Sequence, residues 1–184
     1  MLEIELKFPV HDPQALMQGL AKLGYLPGLT KVEVDHYYNA PDRDFAQTDE
    51  ALRLRQSGEQ CWLTYKGPKQ GKRGKTRVEI EIPQVSGTEA QLHQLLQKLG
   101  YRPTATVRKQ RTYFHKPHGA DPLITPMITL DEVDRVGTFV EIELQAPAQD
   151  VAHLQEVVWR WAQSLHLEKE ERRSYLELLL AAGA

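Results

Sequence analysis

Residues 3–7 read Glu3-Ile4-Glu5-Leu6-Lys7, and the same acidic alternation returns at Glu79-Ile80-Glu81 and at Glu141-Ile142-Glu143. On a β-strand, residues i and i+2 share a face, so each segment aims two carboxylates one way and its isoleucine the other. A single pair would suit a solvated sheet face. Three pairs shift the balance towards a common charged surface. The pattern also recurs with the opposite sign, in Arg53-Leu54-Arg55 and Lys109-Gln110-Arg111. If these rows line one closed sheet, the carboxylates can hold hard divalent cations through oxygen, and the Arg and Lys side chains can hold phosphate oxygens. Such an interior suits a metal–polyphosphate.

Composition narrows the choice. A chain of 184 residues with 41% hydrophobic content fits one domain, or two pseudo-symmetric halves sharing a core. The formal charge of −2 is the near-cancellation of 25 acidic and 23 basic residues, so no overall field attracts long nucleic acid, and a polyanion site must be local. Cys61 stands alone, which excludes an intrachain disulfide and a multi-cysteine zinc cluster and fits a reducing cytoplasm. The acidic N-terminus does not read as a signal peptide, and the longest apolar run near the end, Leu178 to Ala182, is far too short to span a membrane.

Shifting the chain by 76 positions places Glu3-Ile4-Glu5 on Glu79-Ile80-Glu81, Lys22-Leu23-Gly24-Tyr25 on Lys98-Leu99-Gly100-Tyr101, and Tyr37 on Tyr113. The repeat predicts a single domain over 1–184, with halves of about 1–75 and 76–184 related by a pseudo-two-fold. Helices are expected over about Asp12 to Leu23, Thr88 to Leu99, Val151 to Leu165 and Glu170 to Ala181. Asp12 serves as N-cap of the first, and Gly24 and Gly100 stop the first two. Leu92, Leu95, Leu96 and Leu99 form a stripe expected to cover the isoleucine faces. Trp159 and Trp161 read as core or interface residues on an amphipathic helix.

Further strands are expected over about Lys31 to Tyr38, Ala51 to Gln56, Cys61 to Lys66, Val107 to Phe114 and Ile128 to Val133, with Gly58 in a hairpin turn. With the three Glu-Ile-Glu strands these make eight. The expected fold class is α+β: an eight-stranded antiparallel barrel or tunnel, up-and-down, with a charged interior and helices packed outside. Gly74-Lys75-Thr76 resembles a P-loop only superficially, because the spacing fails and a strand follows. His36 reads as an ordinary strand histidine.

These residues are similar to those of the CYTH superfamily, the triphosphate tunnel metalloenzymes. The resemblance runs through Glu3-x-Glu5-x-Lys7, Asp35-His36-Tyr37-Tyr38-Asn39, Ala51-Leu52-Arg53-Leu54-Arg55, Leu63-Thr64-Tyr65-Lys66-Gly67-Pro68, Arg77-x-Glu79-x-Glu81 and Lys109-x-Arg111. Leu130-Asp131-Glu132-Val133, Glu141-x-Glu143 and Ser174-Tyr175 look most like the class IV adenylyl cyclase branch. The resemblance implies a tunnel that binds ATP or another triphosphate with Mg²⁺ or Mn²⁺. It implies Glu3, Glu5, Asp131, Glu141 and Glu143 as metal carboxylates, with Glu79 and Glu81 binding a second metal or its waters. Lys7, Arg53, Arg55, Lys66, Lys109 and Arg111 would bind triphosphate, joined by Lys75 and Arg77. The neighbouring Lys69, Lys72 and Arg73 would either close over substrate or sit in a solvated loop.

Two chemistries fit one tunnel. In a cyclase, the ribose 3′-OH of ATP attacks the α-phosphorus and pyrophosphate leaves; in a triphosphatase, water attacks the terminal phosphorus of an inorganic or organic triphosphate. Lys66 or Tyr37 would assist as base. The stretch from Asp35 to Arg55 resembles the cyclase branch more closely than the thiamine or inorganic triphosphatases, and this resemblance favours the cyclase. A non-catalytic polyphosphate-binding module is the rival of another class, and it would have little use for so many carboxylates. A homodimer is compatible with the resemblance.

Overall fold

The structure is a computed structural model and describes residues 2–69, 75–116, 121, 124–146 and 150–183. The strands are β1 (Leu2–Pro9), β2 (Leu26–Asn39), β3 (Ala51–Ser57), β4 (Gln60–Lys66), β5 (Lys75–Gln84), β6 (Arg102–His115), β7 (Met127–Val133) and β8 (Gly137–Ala146). The helices are α1 (Pro13–Lys22), α2 (Phe45–Thr48), α3 (Glu89–Lys98), α4 (Val151–Ser164) and α5 (Tyr175–Ala181). The strands close into one antiparallel barrel in the order β1-β5-β4-β3-β2-β6-β7-β8. Each alternating row therefore has an inside and an outside, and the charged rows turn inward.

The ring departs from a simple up-and-down order, because β1 lies between β5 and β8, and β2 lies beside β6. The internal repeat explains the departure. Exchanging β1 with β5, β2 with β6, β3 with β7 and β4 with β8 leaves the ring order unchanged. A shift of 76 also carries α1 onto α3, β2 onto β6 and β3 onto β7 with coincident bounds. The pseudo-two-fold thus relates the strands across β1/β5 and across β2/β6, and the halves meet also at β4/β5 and β1/β8.

Local signals set the element ends. Asp12 accepts a hydrogen bond from the Ala15 backbone N–H at 3.0 Å, with Pro13 at the first helical position. Gly24 (φ 81°) and Gly100 (φ 90°) adopt the left-handed conformation that ends α1 and α3, and a Cβ on Gly100 would meet Pro41 at 3.0 Å. The last helix begins later than its apolar pattern suggests, at Tyr175 rather than near Glu170, because Ser174 and Glu177 form a capping box. The short α2 is absent from the sequence-based expectation. Four residues carry no readable period, and the helix depends on Asp44 as cap and on Asp49 in the left-handed region (φ 55°).

The outer rows pack under helices. Leu16 and Leu20 of α1 and Leu154, Val158 and Ala162 of α4 cover Ile4, Leu6, Phe8, Ile128, Val140 and Ile142. A smaller cluster under α3 joins Leu96 to Tyr38, Leu52, Leu54 and Cys61. Trp159 packs beside Phe8, and Trp161 meets Tyr25 edge-on while its indole N–H donates to the Ile124 carbonyl. They are packing residues. The α3 stripe covers less than expected: Leu95 and Leu99 are more exposed than buried, and so is Ile80. No helix among the described residues is long and apolar enough to cross a membrane.

Candidate active site

Alternation along each strand delivers a charged interior. Glu3, Glu5, Lys7, Glu33, Asp35, Arg53, Arg77, Lys109, Arg111 and Asp131 are all buried. An unpaired charge in such a place would cost several kcal/mol, so the question is how each is matched. The lining encloses a cavity of about 460 Å³. Every site residue predicted from the sequence whose side chain is described lines it, except Asp131, which is fully buried in the wall behind. Lys75 stands at the start of β5, opposite Glu5 in the β1 ladder. Lys72 and Arg73 lie outside the described residues, as does Gly74 of the Gly74-Lys75-Thr76 motif.

Two guanidinium–carboxylate clamps stiffen the wall. The Arg55 Nε and Nη2 groups donate to the two Asp35 oxygens at 2.6 and 2.7 Å, and the Arg111 Nε donates to Asp131 at 2.7 Å while its Nη2 takes the second oxygen. Each pair consists of cross-strand neighbours, on β2/β3 and on β6/β7. The repeat relates them with reversed sign, since position 35 maps to 111 and position 55 to 131. Arg111 also binds Glu141. Arg55 and Arg111 are thereby held as wall elements, their forks already filled.

Glu33 is a carboxylate buried in the wall of the tunnel that the sequence reading passed over. It lies 3.2 Å from Arg55 and 3.3 Å from Lys109 and accepts a hydrogen bond from the Tyr113 hydroxyl at 2.9 Å. The signal was present: Glu33-Val34-Asp35 alternates like the other acidic segments, and the 76-residue shift sets it on Lys109-Gln110-Arg111. Burial alone would raise Glu33, but Arg55, Lys109 and Arg111 overcome it and hold the carboxyl at about 2. Asp35 likewise ends below its ordinary range, with burial outweighed by Arg55 and Arg53.

A pH dependence follows. A depressed carboxyl contributes stability above its unfolded value and loses it as pH falls through the folded value. Glu33 should therefore contribute about 3 kcal/mol above pH ~4.5, lost progressively down to about pH 2. Denaturant melts from pH 5 to pH 2.5 should show this loss, and Glu33→Gln should flatten it; equal midpoints across the range would contradict the assignment.

In a second group, burial raises two carboxylates instead, those of Glu3 and Glu143. Glu5 and Glu143 face each other across β1 and β8. Burial, with a hydrogen bond to Glu79 and the charge of Glu143 adding to it against the pull of Lys66, pushes Glu3 up to about 9. Burial and then Glu5 raise Glu143 as well. Lys66 bridges part of the cluster, 2.6 Å from Glu79 and 3.5 Å from Glu3. Among the described residues, no three His, Cys, Asp or Glu side chains form a ready-made metal cage. The cluster instead offers pairs of desolvated oxygen donors, which suits a hard cation whose remaining ligands are water and phosphate.

Two cations are under-matched. Arg53 meets carboxylates only at 3.6 to 4.0 Å, from Asp35, Glu81 and Glu79. The buried Nε groups of Arg53 and Arg77 have no hydrogen-bond acceptor among the described residues. Both face the cavity. Guanidinium donors left open beside a carboxylate cluster are what an anion with a bound cation would complete.

Helix α5 closes one part of the wall. Tyr175 and Leu179 pack against Tyr37, Val107, Val133 and Phe139. The Tyr175 hydroxyl donates to Asp131 at 2.9 Å, and its ring lies 4.0 Å from the Lys7 ammonium and 5.1 Å from that of Lys109. Lys69 ties this helix to the loop before β3 through Glu177 and Asp49. Burial, and then Asp35, raise the Tyr37 hydroxyl, which sets it against ionisation. His36 lies outside the tunnel, bonded to Thr106 and stacked edge-on with His93.

Comparison with known proteins agrees with this geometry. The chain is 34% identical over 181 residues to the protein of Methanocaldococcus jannaschii named "Putative adenylate cyclase MJ0240", covering 97% of this chain and 98% of that one. The structure of the PH1819 protein from Pyrococcus horikoshii OT3 superimposes with a TM-score of 0.85 at 35% identity, over 97% and 98% of the two chains. The "putative adenylyl cyclase HpAC1" of Hippeastrum, described as having a dominant triphosphatase activity, shares the fold with a TM-score of 0.65 at 18% identity, over 98% and 95%. A model of the CYTH domain matches residues 1–175, and with the charged closed barrel described above, the chain belongs to the CYTH domain family.

Proposed function

We propose that this protein is a divalent-metal-dependent enzyme that binds ATP in the barrel and converts it to cyclic AMP and pyrophosphate. The observation that carries the reading is the juxtaposition, in one cavity, of the buried Nε groups of Arg53 and Arg77, which have no acceptor among the described residues, with the carboxylates Glu3, Glu5, Glu79 and Glu143. The first set matches phosphate oxygens and the second a hard cation. The choice of adenylyl cyclase within the family is supported by the 34% identical relative bearing that name.

Glu3, Glu5 and Glu143 would hold Mg²⁺ or Mn²⁺, with Glu79, Glu81 and Glu141 at the margin. When bound, the cation neutralises triphosphate charge and acidifies the attacking hydroxyl. The chain's own residues do the positioning. Arg53 and Arg77, with Lys7, Lys66 and Lys109, take the phosphate oxygens and set the α-phosphorus in line with the ribose 3′-OH. That hydroxyl gives up its proton to water as it forms the new P–O bond, the bond from the α-phosphorus to the bridging oxygen breaks, and the basic lining stabilises the charge gathering on departing pyrophosphate. Tyr37 serves as a neutral wall residue rather than as base, and Lys66 as a pairing cation. Asp131 orients Arg111 and Lys109 from behind. A lone buried Cys61 accords with work in a reducing, cytoplasmic setting where ATP and Mg²⁺ are present.

Anion-exchange analysis of products from ATP, and separately from tripolyphosphate, with Mg²⁺, with Mn²⁺ and with chelator, tests this. Metal-dependent cyclic AMP and pyrophosphate in equal amounts is the expected result. Orthophosphate with ADP, or from tripolyphosphate alone, would replace the cyclase with a triphosphatase. Tight polyphosphate binding without turnover would replace both with a binding module.

A further inference from the structure

His36 and His93 meet on the outside of the barrel, where the tunnel chemistry does not use them. His36 lies on the outer row of β2, between the inward-facing Asp35 and Tyr37, and His93 lies on α3. The two imidazole centroids are 4.7 Å apart, with the ring planes inclined at 72°. Both residues are half-buried, so solvent and ions still reach them. Nδ1 of His36 lies 3.0 Å from the Thr106 hydroxyl, and Nδ1 of His93 is hydrogen-bonded to the Tyr38 hydroxyl. Among the described residues, neither Nε2 atom has a hydrogen-bond partner.

The internal repeat shows that the fold does not require this pair. The 76-residue shift sets His36 on Thr112, Thr30 on Thr106, and Met17 on His93. His36 stands opposite Thr106 in the β2/β6 ladder, and the counterpart pair is Thr30 opposite Thr112, whose hydroxyls meet at 2.9 Å. Two threonines therefore satisfy the same cross-strand position. What histidine adds is a second ring nitrogen, and α3 supplies a second imidazole beside it.

We propose that His36 and His93 bind one divalent transition-metal ion of the imidazole-seeking class, Zn²⁺, Ni²⁺ or Cu²⁺, through their Nε2 atoms, and that this ion ties α3 to β2. With metal–nitrogen bonds of about 2.0–2.1 Å, two imidazoles sharing an ion at roughly 90–110° have centroids on the order of 4.5–5.2 Å apart, a range that contains the observed spacing. A proton on each Nδ1, donated to the Thr106 or Tyr38 oxygen, leaves the Nε2 lone pair to the metal and fixes the ring, as the outer partners of metal-bound histidines do. Burial, and then His93, lower the His36 imidazole from its ordinary value, so a proton does not take that lone pair at pH 7. Among the described residues no third His, Cys, Asp or Glu joins the pair, and water completes the coordination. The ligand type separates this site from the tunnel, whose carboxylates suit hard cations. The tie falls where α3 is lightly held, since Leu96 is its buried residue.

Cu²⁺ is the probe, because it binds imidazole most tightly of the three ions and reports its ligands. It is titrated into the untagged full chain at pH 7 and followed by calorimetry and electron paramagnetic resonance. One site with the nitrogen hyperfine pattern of two imidazoles is expected. His36→Thr, which installs the residue of the counterpart position, and His93→Ala should each weaken that site at least about 100-fold and remove the two-nitrogen pattern, with circular dichroism unchanged. Tyr38→Phe keeps the packing and removes the hydroxyl partner, and it should weaken binding about 10-fold. His153→Ala, at an exposed position of α4, should leave the site intact. Zn²⁺ should raise the melting temperature of the wild type more than that of His36→Thr. A two-nitrogen site that survives both histidine substitutions, an oxygen-only spectrum that places copper among the tunnel carboxylates, or no difference in affinity between wild type and His36→Thr would each overturn the proposal. The readout involves no turnover and is independent of the proposed reaction.

Discussion

Glu5→Gln should lower metal-dependent turnover about 10³-fold or more, the scale expected when several kcal/mol of charge stabilisation by a bound cation is withdrawn. Glutamine keeps the volume of Glu5 and its place opposite Glu143 in the β1/β8 ladder, and removes one negative charge. The substitution also removes the like charge that raises the Glu143 carboxyl. The metal dependence of stability separates the two. Mg²⁺ or Mn²⁺ should raise the melting temperature of the wild type clearly more than that of Glu5→Gln, because binding only to the folded form stabilises it. Equal metal-induced shifts and undiminished kcat would remove Glu5 from the metal set. Loss of turnover with an undiminished thermal shift would keep the metal elsewhere and give Glu5 another part in the reaction.

Asp131→Ala should destabilise the fold by about 3–5 kcal/mol, the cost of leaving a buried charge without its partner. Asp131 is fully buried, and its oxygens receive Arg111, Lys109 and the Tyr175 hydroxyl. Truncating it leaves two cations facing each other with Glu141 and Glu33 as the remaining counter-charges. Pairing the change with Arg111→Met should recover a large part of the loss, since an ion pair replaced on both sides by packed apolar groups is close to neutral. Urea unfolding of the two single variants and the double variant measures the coupling. A single variant within about 1 kcal/mol of the wild type would show that the clamp contributes little to stability. The same measurement on Asp35→Ala should give a loss of similar size, because Arg55 holds Asp35 in the counterpart arrangement.

Much of the fold was legible because it is written in short-range periods. Glu-Ile-Glu states a strand and both of its faces within three residues, and the Lys-Leu-Gly-Tyr turns mark helix ends through glycines that require positive φ. The 76-residue shift is read from the sequence alone, and it predicts element bounds that coincide in the structure. Other features depend on partners distant along the chain. Glu33 joins the charged wall only once β2 is paired with both β3 and β6, which bring Arg55 and Lys109 to it. Tyr175 reaches Asp131 across 44 residues, and no local pattern announces that contact. Helix α2 is too short to carry a period.

The sequence by itself determined that eight strands alternate charge with apolar side chains, that the chain repeats once, and that carboxylates and basic residues share one surface, because alternation and repetition are local properties of a polypeptide. Only the tertiary structure decided which charges are consumed and which remain available. Arg55 and Arg111 are filled by Asp35 and Asp131, while Arg53 and Arg77 keep open donors and Glu5 faces Glu143. That division depends on ladder register and barrel closure, which bring residues from different strands within hydrogen-bond distance. It depends equally on where α4 and α5 come to rest, one covering the outer face of β1, the other setting Tyr175 beneath Lys7.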